Sequence, residues 1–131
     1  MSETVNTALT EDEWLARFIL KKEWIRKADN TIKQDAFIPP KDLQLSVTRH
    51  AGISAEKLVE IGRSVASERS LEFIGRADVE TRQVVKNALK AVAWPLPNNQ
   101  NHAHILGWPA DKALQKTIAL ELAAVAVFVP A

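Results

Sequence analysis

The run Asn101-His102-Ala103-His104-Ile105-Leu106-Gly107-Trp108-Pro109, followed by Ala110-Asp111-Lys112, constrains this chain more than any other stretch. Side chains alternate with period two along a strand, so His102, His104 and Leu106 would share one face. Gly107 then turns the chain, and Pro109 suits the first turn of a helix, where its missing N–H costs nothing. The helix that follows is expected over about residues 110–125, with Leu114, Ile118, Leu122 and Val125 at helical spacing. Ala113, Leu120 and Ala123 widen that stripe, so the helix should be largely buried and needs a sheet face to cover. Its N-terminus would aim free N–H groups and a partial positive charge at the histidine strand, a candidate anion site. An ordinary strand-to-helix turn has the same pattern.

The preceding residues supply that sheet. Thr10-Glu11-Asp12-Glu13 has capping-box spacing and predicts a short helix or turn, with a strand at residues 18–20. Ala28-Asp29-Asn30-Thr31 is a turn between Trp24-Ile25 and Ile32, which reads as a hairpin. Phe37-Ile38-Pro39-Pro40 should be extended, and Leu43, Leu45 and Val47 alternate with polar residues as a half-buried strand does. Ser54 is the N-cap candidate of a helix carrying Leu58, Ile61 and Val65 on one face. Residues 71–74 read as a strand stopped by Gly75, and Asp78 as the cap of a helical turn over residues 79–87. Residues 89–94 read as the end of that helix or, preferably, as a strand before Pro95 and Pro97, and residues 127–129 either finish the last helix or add an edge strand. The sum is an α+β fold. Residues 10–131 make a single domain, a small mixed or antiparallel sheet with two or three helices and the C-terminal helix packed on it, after a flexible tail over residues 1–9.

Seventeen Lys+Arg against 16 Asp+Glu leave a net charge of +1, which does not point to nucleic acid, although a local basic patch is compatible with it. No cysteine is present, so disulfides, thiolate metal sites and a cysteine nucleophile are excluded. The opening MSETVNTALTEDEW lacks the basic and apolar regions of a secretory signal, and the apolar run over residues 118–129 is too short to span a bilayer. A cytoplasmic location with no membrane contact is expected.

His102 and His104 are the candidate catalytic pair, one as acid and one as base. The plainer reading is a partly exposed strand face. Chelation would need more ligands, with His50, Asp78 and Asp111 as the available stock, and no H-E-x-x-H motif supports it; neither a metal nor another cofactor is expected. Arg49, Arg76 and Lys112, with Gly107 and Trp108 at the turn, are the candidate ligand-binding residues, because guanidinium forks, ammonium groups and helix N-termini hold phosphate. The alternative pairs them with Glu56, Asp78 and Asp111 on a solvated surface. The blocks Phe37-Ile38-Pro39, Leu45-Ser46-Val47-Thr48-Arg49, Gly75-Arg76-Ala77-Asp78 and His102 to Pro109 with Lys112 resemble those of a family of small bacterial proteins without an assigned activity. The resemblance spans about residues 17–125 and implies a stand-alone bacterial domain. Four tryptophans and no complete catalytic set lean toward a non-catalytic binding or adaptor protein with a protein partner. The alternative is a small metal-independent enzyme acting on RNA or a phosphorylated ligand through His102 and His104.

Overall fold

The structure, a computed structural model, describes residues 7–131. Strand β1 (Trp14–Ile19) is followed by single 3-10 turns at Lys22–Trp24 and Gln34–Phe37. Then come β2 (Leu45–Arg49), α1 (Ala55–Glu68), β3 (Gly75–Glu80), α2 (Thr81–Lys86), β4 (Lys90–Ala93), β5 (His102–Leu106), α3 (Lys112–Val125) and β6 (Val127–Pro130). All six strands pair antiparallel in one sheet, in the order β4-β5-β2-β1-β3-β6. The α+β architecture read from the sequence is present, with the sheet antiparallel throughout.

Alternation sorts the strands into two faces. Leu15 and Ile19 of β1, Leu45 and Val47 of β2, Val79 of β3 and Ile105 of β5 enter the main core, where they meet Phe37, Val84, Trp108, Ala119 and Leu122. Helix α3 therefore lies on this face, against the sheet and the turn that carries Phe37. The opposite face is covered over β1 by α1, whose Leu58 and Ala66 pack with Ala16, Phe18 and Leu20. Ser54 caps α1 by accepting the Lys57 N–H at 3.0 Å. Gly62 lies against Phe73, and a Cβ there would come within 2.5 Å of the ring and force it to move.

Several expectations are corrected. Gly75-Arg76-Ala77-Asp78 does not stop a strand and cap a helix; it belongs to β3, paired with β1 on one side and β6 on the other. Two flanking ladders outweigh the local turn signal, and residues 71–74 are irregular. Residues 7–9 are not a loose tail: Ala8 bridges Val92, and the Leu9 N–H donates to the Ala91 carbonyl at 3.0 Å. Residues 1–6, also placed in that tail, lie outside the described residues. Around Thr10 the chain makes the turn, one of the two forms expected there. Helix α3 begins later than expected, with Asp111 as N-cap accepting the Leu114 N–H at 3.0 Å. Its buried side is Gln115, Ala119, Leu122 and Ala123, while Leu114 and Val125 are exposed. Small side chains let the helix approach closely, and the contact follows them.

Candidate functional site in the gap between β1 and β2

Strand β1 pairs along its whole length with β3 but meets β2 only at Leu15↔Arg49 and Ala16↔Thr48. Beyond Ala16 the two strands part, and the Arg17 guanidinium fills the gap. Its Nε donates to the Ala36 carbonyl at 2.8 Å and its Nη1 to the Ser46 carbonyl at 3.0 Å. Ser46 and His104 face each other without exchanging backbone bonds, so the Ser46 carbonyl points toward β1. Arg17 thus replaces a ladder bond with a charged one. Its Cζ lies 5.4 Å from the centroid of the Trp24 ring. Among the described residues no carboxylate comes within ion-pair distance of Arg17. Burial, and then the neighbouring Arg69 guanidinium, push its pKa down to about 10, which leaves it a cation at neutral pH.

The gap opens into a cavity of about 200 Å³ between the end of α1 and the turn that precedes β5. Arg17, Arg69, Ser46, Thr48, Asn98, Asn99 and His102 supply polar walls; Phe18, Leu20, Trp24 and Val65 supply apolar ones. Glu68 also lines it, held by a 3.1 Å bond from Asn98 Nδ2. Asn99 Nδ2 donates to Thr48 Oγ1 at 3.0 Å and ties the loop to β2. A second cavity of about 190 Å³ abuts the same Arg17, Ser46 and Arg69 and is completed by Ile38, Pro40, Gln44 and Leu45.

His102 accounts for one half of the expected histidine pair. Its Nδ1 lies 2.9 Å from the Trp94 carbonyl and must donate there, which leaves Nε2 with a lone pair and, among the described residues, no hydrogen-bond partner. Burial lowers its pKa, only partly offset by that bond, so the ring is neutral at pH 7. His104 stands beside it on the same face, the ring centroids 4.8 Å apart, but it packs on Trp94 at 4.7 Å and does not line the cavity. Its pKa is lowered by burial and by His102, against the pull of Asp42, and its Nδ1 is buried without a partner.

The other expected ligand groups do not converge on the histidines. Arg49 points to the opposite face, where it pairs with Glu13. Arg76 Nε lies 3.0 and 3.1 Å from the two oxygens of Asp78, which also meets His50 Nε2 at 3.1 Å. Trp108 is a core residue, its Nε1 donating to the Ile105 carbonyl at 3.1 Å. Gly107 turns the chain at φ +93, and Lys112 is exposed at the start of α3, across the sheet from His102. The helix N-terminus and the histidines therefore occupy opposite faces. Among the described residues no cluster of three His, Cys, Asp or Glu could hold a metal ion.

Arg17 and Arg69 escaped the sequence reading. Arg17 carried a signal: in Trp14-Leu15-Ala16-Arg17-Phe18-Ile19-Leu20 it shares the parity of Leu15 and Ile19, which puts a charge at a core-facing position. Arg69, just past the end of a helix, carried none. No family model, curated protein or solved structure matches this chain.

Proposed function

We propose that the protein is a non-catalytic binding protein whose β1–β2 gap holds an anionic group, a phosphate or carboxylate, carried by a ligand or a partner protein. One observation carries this reading: the half-buried Arg17 guanidinium has no carboxylate within ion-pair distance among the described residues, and the exposed Arg69 lines the same cavity. A desolvated cation is costly, and an anion with hydrogen-bond acceptors offsets that cost. Arginine forks suit both phosphate and carboxylate. Turnover is disfavoured because the acid–base pair is not assembled at the cavity: His102 lines it and His104 does not. No described helix is long and apolar enough to cross a membrane; a bacterial cytoplasmic setting is part of the proposal.

The test is a titration with inorganic phosphate and with acetate, read on the arginine Nε–H and His102 NMR signals. Saturable shifts are expected, weakened at least tenfold by Arg69→Ala with the melting temperature unchanged. No shift with either anion removes the reading. The free Nε2 of His102 favours a second reading, an enzyme using it as general base on a phosphorylated ligand. That reading requires hydrolysis of 4-nitrophenyl phosphate or a short RNA, abolished by His102→Ala; no turnover is the expected result.

A further inference from the structure

We propose that the anionic group is a singly charged phosphodiester, seated between Arg17 and Arg69 with one organic substituent in each of the two cavities that abut them. The inference rests on the anion-binding reading above and adds the class of ligand. A monoester or free phosphate has at most one substituent and needs one cavity. Here two cavities, of about 200 and about 190 Å³, share the wall formed by Arg17, Ser46 and Arg69. Each falls short of the roughly 300–1,000 Å³ of an ordinary small-ligand site, whereas the two together reach it.

Charge and lining agree with this. Two guanidiniums and the carboxylate of Glu68 leave one net positive charge at the first cavity, which balances a monoanion. Phe18, Leu20, Trp24 and Val65 offer apolar and aromatic surface to an organic substituent in the first cavity, with the Asn98 amide at its rim. The second offers apolar surface from Ile38 and Pro40 and one amide from Gln44. A nucleobase in each cavity, joined through the central diester, has this combination of aromatic faces and polar edges.

The experiment titrates the full chain with inorganic phosphate, phenyl phosphate, diphenyl phosphate and the dinucleotide UpU. Diphenyl phosphate and UpU are expected to bind at least tenfold more tightly than phenyl phosphate. Gln44→Trp, which adds bulk at the second cavity, should bring the diester-to-monoester ratio close to one. Equal binding of monoester and diester, or a ratio untouched by Gln44→Trp, overturns the diester and leaves the anion site standing. Silence from all four compounds removes both. A twelve-residue oligouridine separates the sources of the diester. Affinity matching UpU beyond the statistical factor, with a log–log salt slope near −1, supports a small dinucleotide. A gain of tenfold or more with a slope steeper than about −2 supports the diester within a single strand.

Discussion

Arg17 and His102 line one cavity and answer burial in opposite ways. Burial disfavours the charged form of each, yet Arg17 keeps its proton at neutral pH because a pKa of about 10 is still far above 7. His102 starts from 6.5 and falls to the neutral side. The cavity thus pairs a fixed cation with a neutral ring that offers a lone pair. The lowered values of His102 and His104 carry a stability consequence. As pH falls below about 6.5, histidines of the unfolded chain take up protons before those of the folded one, so folding stability declines on acidification. Thermal melts should be level from pH 8 to 7 and drop below about 6.5, with the drop reduced in His102→Gln and His104→Gln. A drop in both variants as large as that of the unaltered protein would show that other groups set it. Strand alternation alone sufficed to find His102 and to place His104 beside it. It could not say which of the two would reach the cavity, because that depends on the Trp94 ring packed on His104, a contact that period-two alternation does not encode.

For the elements, helix α3 gives the sharpest comparison. Leu122 is fully buried and Leu114 is 54% exposed, although both belong to one apolar stripe at helical spacing. Leu122→Ala should cost about 2–5 kcal/mol, and Leu114→Ala no more than about 0.5 kcal/mol. Urea denaturation of the two variants checks this, and equal costs would mean that the helix presents another side to the sheet. The helix itself was legible from its composition, as was α1 from Ser54 and its apolar face. The side that α3 buries was not, because Ala119 and Ala123 decide it by allowing close approach, and alanines add little to an apolar stripe. Strand β3 was illegible for a different reason. Gly75 and Asp78 carry local turn preferences, and only the pairing with β1 and β6, both distant in sequence, overrides them. A Cβ on Gly75 would lie 2.4 Å from the Val129 carbonyl, so that glycine serves the approach of β6 and not a turn out of the sheet.

At the level of the molecule, the sheet has two edges, and each is managed differently. Residues 7–9 cover part of β4, with the Ala93 N–H donating to the Thr7 carbonyl at 2.8 Å; β6 ends at Pro130, which has no N–H to offer a further strand. Removing residues 1–9 would uncover backbone groups of Ala91 and Ala93. The truncated protein should melt at lower temperature and self-associate more on concentration, which calorimetry and light scattering would report. Unchanged behaviour in both would show that the β4 edge needs no cover. The strands flanking the histidines could be read from the sequence, but their spatial order could not, since a period-two pattern states which face is buried and not which neighbour is paired. The position of β1 has a consequence in time. It precedes both β2 and β3 in sequence and lies between them, so during synthesis it emerges before either neighbour exists. The main-core face is closed only when α3 arrives, and the outer side of β3 only when β6 does. With so many pairings between distant residues, the chain belongs among the slower folders of its size. Leu15, Phe18 and Ile19 must spend that interval without their native cover, which makes β1 the stretch most in need of shelter while the protein is being made.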